Sequence, residues 1–116
     1  MRSFNQVIFV GRLAGDPEQR VTQQAGKTLT TFSLAVSRDW YGTKDKDREI
    51  PTDFFRVVAW DKFAEFCGKV LKKGMTVLVS GPLLMRSYEG KNGRQTINEV
   101  SLRNLNILSW PKDKPV

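Results

Sequence analysis

A nine-residue stretch, Asp53–Asp61, constrains this chain more than any other part of its sequence. Its valines and aromatic residues, uninterrupted by Gly or Pro, predict a β-strand. Because side chains alternate along a strand, one face carries Phe55, Val57 and Ala59, which suit a core. The other face carries Phe54, Arg56, Val58 and Trp60. Rings beside a guanidinium can stack on bases and hold phosphate, but a strand buried on both faces explains the same pattern.

The length and residue types narrow the functional classes. At 116 residues, the chain is long enough for one domain with a core of its own. It has no histidine and a single cysteine, Cys67, which excludes Cys/His zinc sites, His-dependent nucleophiles and an internal disulfide. We therefore expect no catalytic residues, no metal site and no cofactor. No apolar run is long enough for a membrane span, so we expect a cytoplasmic protein that does not bind membranes.

The charge points to polyanionic partners. The formal net charge is +7 and the isoelectric point is near 9.9. Residues 38–49 are balanced in sign, so the basic excess comes from elsewhere and is spread along the chain. A surface that follows an extended ligand needs this distribution, although charge also serves solubility.

The order of predicted elements favours an all-β fold. We predict strands at 4–13, with a bend near Gly11, and at 28–38, 52–60, 76–84 and 95–108. A helix over 61–73 has Asp61 as N-cap and Gly74 after its end. Its apolar face carries Phe63, Phe66 and a buried Cys67. Residues 39–51 and 86–94 are predicted to be long connections. Five strands with one helix between the third and fourth is the order of the Greek-key OB-fold barrel.

The small side chains along one face of the second strand indicate a close neighbour. They belong to Ser33, Ala35 and Ser37, and they indicate that another backbone or another subunit approaches there.

Several motifs, in order and at fitting separations, make the chain resemble the bacterial-type single-stranded DNA-binding proteins from residue 3 to about 108. The motifs are Phe4–Leu13, Asp16–Glu18, Phe32–Val36, Phe55–Lys62 with Ala64-Glu65, Leu71–Gly74, Val79–Leu83 and Glu99-Val100. The resemblance implies an OB barrel that assembles as a homotetramer. It also implies binding of single strands with little sequence preference, in DNA replication, recombination and repair, at the nucleoid.

The resemblance also implies which residues bind. The stacking rings fall on Trp40, Phe54, Trp60 and Tyr88, and the matching cations are Arg56, Lys62, Lys73 and Arg86. Phe54 and Tyr88 replace tryptophans that are common in the family, so they offer less area for stacking. From the residues alone, Trp60 could instead belong to the core and Phe54 could lie half-buried beneath a loop.

The C-terminal end departs from the family pattern. We expect residues 1–110 to form the domain and residues 111–116 to be a short, slightly basic extension without an acidic tip. Recruitment of replication or repair proteins through such a tip is therefore not expected of this chain. Two other functions stay open at this point: an adaptor whose OB surface serves protein assembly, and an RNA-binding barrel.

Overall fold

The computed structural model describes residues 2–22, 26–38 and 50–111. Within these ranges the chain forms eight strands and one helix. They are β1 (Val7–Leu13), β2 (Glu18–Val21), β3 (Thr28–Ser37), β4 (Thr52–Trp60), α1 (Asp61–Val70), β5 (Thr76–Gly81), β6 (Leu83–Gly90), β7 (Gly93–Ser101) and β8 (Asn104–Ser109).

One sheet contains all eight strands, in the order β6-β7-β4-β3-β1-β5-β8, with β2 beside β3. The pair β4 and β7 is parallel and the other pairs are antiparallel. The fold class is the predicted one, mostly β with one helix, which lies between β4 and β5. The number of strands differs from the prediction. The last two predicted strands are each broken into two, β5 and β6 around Pro82, and β7 and β8 around residues 102–103. Proline lacks the N–H that a continuous ladder requires, which explains the first break.

The prediction that residues 86–94 form a long connection is wrong. Those residues belong to β6 and β7, which pair as an antiparallel hairpin up to Gly90 opposite Gly93. Gly93 has φ 105°, a conformation that glycine adopts readily and that allows the tight turn. The turn that Asn92-Gly93 predicts is confirmed, but the strands on both sides of it are too polar to show the alternation typical of a strand.

The core lies between the sheet and the helix, as the alternation predicts. The apolar face of β3, with Phe32 and Leu34, and the inner face of β4, with Val57 and Ala59, are buried in it. The other buried members of the core are Leu13, Ala64, Cys67, Leu71, Met75, Val77, Val79, Val100 and Leu102.

The helix is shorter than predicted and begins differently. It ends at Val70, because Leu71 is extended and its side chain is buried in the core. Asp61 is not the N-cap: Trp60 occupies that position without a side-chain hydrogen bond, and Asp61 has φ 56°. Gly74, with φ 91°, lies in the turn after the helix and donates its N–H to the Leu13 carbonyl at 2.9 Å. Phe66 was wrongly assigned to the core, since 44% of it is exposed on the outer side of the helix.

A close approach of two backbones occurs at one of the small residues of β3. A Cβ on Gly11 would overlap the carbonyl oxygen of Ala35 and would lie 3.1 Å from the Leu34 side chain. This contact lies where the pairing of β1 with β3 begins, at Arg12 opposite Ala35, and it explains why position 11 is a glycine. Over the described ranges, no helix is both long and apolar enough to cross a membrane.

Candidate nucleic-acid interface

The outer face of β4 is open, which decides between the two explanations of its alternation. Phe54 is 64% exposed and Trp60 44% exposed, while Arg56 is also exposed between them. Val58 is the exception on this face, since it is only 7% exposed. The strand is therefore buried on one face and presents two rings and a guanidinium on the other.

A groove runs across β4 towards β6. Its first part is a depression of about 300 Å³ that contains Trp60, Arg56 and Arg86, three of the predicted binding residues. The other residues around it are Arg20, Leu29, Thr31, Val58, Leu84, Glu99 and Ser101. Arg56 and Thr31 also line a second depression of about 350 Å³, beside Asp16 and Glu18, so the two depressions adjoin each other. We call both parts together the β4 groove.

The sheet register explains why the arginines meet. Arg56 on β4 lies opposite Glu99 on β7, and Glu99 lies opposite Leu84 on β6. Opposite residues share a face, so Arg86, two positions after Leu84, points to the same side. Glu99 Oε2 accepts a hydrogen bond from Arg56 Nε at 2.7 Å and lies 3.2 Å from Arg86 Nη2.

Glu99 is the site residue that the sequence interpretation missed. In the sequence it belongs to one of the family motifs, Glu99-Val100, which predicts no role for it. The sequence offers one signal for it. Glu99 is an acidic residue in a chain with an excess of basic residues, and it lies on the same strand face as Ile97, two positions earlier. The pairing with Arg56 depends on a contact between residues 43 apart in sequence, which the parallel register of β4 and β7 creates.

The other predicted residues lie outside the two depressions. Phe54 is on the same face of β4 as Arg56, at the end nearer the start of the strand. Tyr88 is on the same face of β6 as Arg86, and its hydroxyl donates to Gln95 Oε1 on β7. Both rings therefore continue the face of the groove without lining it. Trp40 lies outside the described residues, as does most of the predicted 39–51 connection.

Neither of the two predicted lysines lines the groove. Lys62 is exposed in the first turn of α1, two positions after Trp60 in sequence. Lys73 is exposed in the turn after the helix, and its backbone N–H donates to Asp16 Oδ1 at 2.9 Å. Since Asp16 lines the second depression, Lys73 lies at that end of the groove.

A larger depression, about 960 Å³, is elsewhere. It lies between β1 and the adjoining ends of β3 and β4, and its lining includes Phe9 and Phe55. These two rings stack, with centroids 4.1 Å apart. Of the predicted binding residues that the structure describes, none lines this depression. We therefore take the β4 groove as the candidate interface despite its smaller volume, because Trp60, Arg56 and Arg86 converge there.

Two findings concern the groups that could take part in chemistry. No group of three or more His, Cys, Asp or Glu residues among them could hold a metal ion. Cys67 is buried on the inner face of α1, and burial raises the pKa of its thiol to about 11. A thiol with such a pKa is a poor nucleophile near neutral pH. This confirms the prediction that Cys67 is a small buried apolar residue.

Comparison with known proteins identifies the family. The model of the "Single-strand binding protein family" matches residues 4–108, most of the 116-residue chain. The chain belongs to the single-strand binding protein family. The sequence motifs therefore indicated the correct family.

Relatives of this family member cover nearly all of it. A "Single-stranded DNA-binding protein" of Clostridium tetani (strain Massachusetts / E88) is 39% identical over 107 residues, which are 91% of this chain and 71% of the relative. One from Thermotoga maritima is 39% identical over 105 residues, 90% of this chain and 73% of the relative.

A solved structure shares the fold. It is described as "Plasmodium falciparum SSB complex with ssDNA" and matches with a TM-score of 0.79 and 28% identity. The match covers 94% of this chain and 98% of that chain. The OB-fold predicted from the element order is confirmed.

Proposed function

We propose that this protein binds and protects single-stranded DNA with little sequence preference. The observation that carries the proposal is the convergence of Trp60, Arg56 and Arg86 in the β4 groove, in a member of the single-strand binding protein family. The names of its relatives and the DNA complex of the structural neighbour support it.

The rings supply the base-dependent part of binding. A single strand exposes base faces that lack stacking partners, and aromatic side chains replace those partners at roughly 1–3 kcal/mol per base. Every base has such a face, so stacking discriminates little between sequences. Duplex DNA hides the same faces, and this difference accounts for selection of single strands. We assign stacking to Trp60, Phe54 and Tyr88, and to Trp40 in the part of the chain that the structure does not describe.

The cations supply the phosphate-dependent part. Arg56 and Arg86 line the groove, Lys73 lies near the Asp16 end of it, and Lys62 is exposed in the first turn of α1. We assign phosphate contacts to all four. Neutralised phosphates release counterions, which gives a slope of about −0.7 in log affinity against log salt concentration for each of them. We assign this binding to residues 1–110, with 111–116 as a short extension.

The titration of tryptophan fluorescence with oligo-dT, oligo-U and duplex DNA at two salt concentrations tests the proposal. We expect oligo-dT to quench the fluorescence, to bind more tightly than duplex, and to weaken as salt rises. Equal binding of oligo-dT and duplex, or no quenching, would contradict the proposal. Tighter binding of oligo-U than of oligo-dT would identify the protein as an RNA binder instead.

We also propose that the chain assembles as a homotetramer. The outer face of the β1-β5-β8 part of the sheet exposes Ile8 by 64%, Val10 by 47% and Leu108 by 53%. Among the residues that the structure describes, β1 pairs with β3 only through Arg12 and Leu13, and its earlier residues have no strand partner on that side. Exposed apolar side chains and an unpaired strand edge both favour association with further copies.

Sedimentation velocity at micromolar concentration tests the assembly. We expect a species of four chains, and Ile8→Lys should reduce it to a smaller one. A wild-type monomer would contradict the proposal.

In the cell we propose a stoichiometric, non-enzymatic role in DNA replication, recombination and repair, in the cytoplasm at the nucleoid.

A further inference from the structure

The β4 groove contains a carboxylate where a polyanion is proposed to bind. The side chain of Glu99 is 12% exposed, beneath two arginines whose side chains are 42% (Arg56) and 58% (Arg86) exposed. A negative charge in this position would repel phosphate if it acted alone. Its contacts with both arginines indicate a different role.

The geometry makes Glu99 a common support for the two cations. One carboxylate oxygen, Oε2, accepts from Arg56 Nε on β4 and lies 3.2 Å from Arg86 Nη2 on β6. Each guanidinium has five N–H donors in a rigid plane, so contact through one nitrogen leaves most of the donors to other acceptors. The three side chains come from three adjacent strands, which hold their backbones in place.

We propose that Glu99 is a positioning residue, which holds Arg56 and Arg86 side by side so that both can bind neighbouring phosphates of one strand. The inference rests on the proposed function. Two guanidiniums so close repel each other, and long side chains lose conformational entropy when a ligand orders them. A shared carboxylate reduces both costs before the strand arrives.

A simple charge effect and a positioning effect predict opposite changes in the affinity for DNA when Glu99 loses its charge. Removal of a negative charge raises the net charge, which alone strengthens binding to a polyanion. Loss of the shared support releases both arginines, which weakens binding. Glu99→Gln, which has nearly the same shape as the wild-type side chain, therefore distinguishes the two effects.

The test measures the affinity of the full chain for fluorescently labelled oligo-dT at two salt concentrations, by anisotropy. We expect E99Q to bind roughly five to thirty times more weakly than wild type. E99D keeps the charge but is too short to reach both arginines, and we expect a loss of similar size. Glu65→Gln makes the same chemical change on the exposed side of α1, and its affinity should stay within about twofold of wild type.

A double-mutant comparison separates positioning from a general structural effect. In the Arg56→Ala/Arg86→Ala background Glu99 has neither cation to hold, so E99Q should no longer weaken binding. An equal loss in both backgrounds would overturn the inference. Thermal unfolding of each variant checks folding, and if E99Q does not fold, the comparison is made with E99D.

The outcomes separate this inference from the proposed function. If wild type binds oligo-dT and E99Q binds as tightly or more tightly, Glu99 has no positioning role and the proposed function stands. If wild type does not bind oligo-dT, both are overturned.

Discussion

The guanidinium of Arg38 holds the carboxylate of Asp53 through two hydrogen bonds, Nε to Oδ2 and Nη2 to Oδ1, each 2.8 Å long. The backbone N–H of Arg38 also donates to the Pro51 carbonyl at 2.9 Å. These contacts join the chain where it leaves β3 to the chain where it enters β4. They lie next to Phe54 and therefore fix the start of the strand that carries the β4 groove.

Asp53→Asn should reduce stability in a pH-dependent way. The hydrogen bond with Arg38 holds the pKa of Asp53 below its ordinary value of 3.8. A carboxyl with a lowered pKa in the folded state stabilises that state above the unfolded-state pKa, and the effect disappears as pH falls through the folded-state pKa. Wild type should therefore be more stable than D53N at pH 6, by a small amount because the pair is partly exposed, and the difference should shrink as the pH falls below 3.8, the ordinary pKa of the carboxyl.

Urea unfolding of both proteins across this pH range measures the difference. In an Arg38→Gln background the effect of D53N should be much smaller, since the partner is missing. A difference that is constant from pH 6 to pH 2 would show that the ion pair does not cause it.

Phe54→Ala should weaken binding of oligo-dT while leaving the fold intact. The ring is 64% exposed, so its removal costs little core packing, but one stacking partner of roughly 1–3 kcal/mol is lost. We expect about a fivefold to hundredfold loss of affinity in low salt. Phe66→Ala is the matched control, because that ring is 44% exposed on α1 outside the groove. Equal affinities of the two variants would remove Phe54 from the interface.

Trp60→Ala should weaken binding more than tenfold in low salt, since its ring lines the groove. Its removal should also reduce the fluorescence quenching by oligo-dT. Unchanged affinity would mean that Trp60 serves the fold alone.

Gly11→Ala should destabilise the protein by about 1–3 kcal/mol or more, because its Cβ would overlap the backbone oxygen of Ala35 and backbone atoms cannot move aside easily. Gly15→Ala is the control: a Cβ there meets no heavy atom within 4 Å. The free energy of unfolding in urea should fall for the first variant only. A similar change in both would contradict the close approach of β1 to β3.

The thiol of Cys67 should react with a thiol reagent only after unfolding, because the folded chain buries it and raises its pKa to about 11. The raised pKa of Cys67 also makes the stability of the folded state depend on pH. Between about pH 9 and 11 the unfolded thiol loses its proton while the folded one keeps it, so rising pH favours unfolding. Cys67→Ala should lose this part of the alkaline destabilisation. Rapid labelling of the native protein at pH 8 would contradict the burial.

The alternation of side chains along β4 shows what the sequence alone can predict. Successive side chains of a strand point to opposite sides, so the sequence assigned Val57 and Ala59 to the core, and this is confirmed. It left the face of Phe54 open between a binding face and a second buried face, and the exposure of Phe54 decides for the open face. The helical spacing placed Cys67 inside in the same way. Such local periodicity depends only on neighbours along the chain, and it was sufficient for the fold class.

Local periodicity could not settle features that depend on contacts between distant residues. Phe66 has the spacing of a core residue, but the described sheet does not cover that part of the helix, and the ring is exposed. The strands β6 and β7 have polar faces on both sides, so only their mutual hydrogen bonds identify them.

The arrangement of the groove was decided by tertiary structure alone. Nothing near Arg56 in the sequence indicates Glu99, because the two residues are 43 positions apart and meet through the parallel register of β4 and β7. The sequence by itself determined which side chains of β4 share a face, and which of its two faces suits the core. Which side chains share one carboxylate was decided by strand pairing, since pairing sets distances that side-chain alternation does not contain.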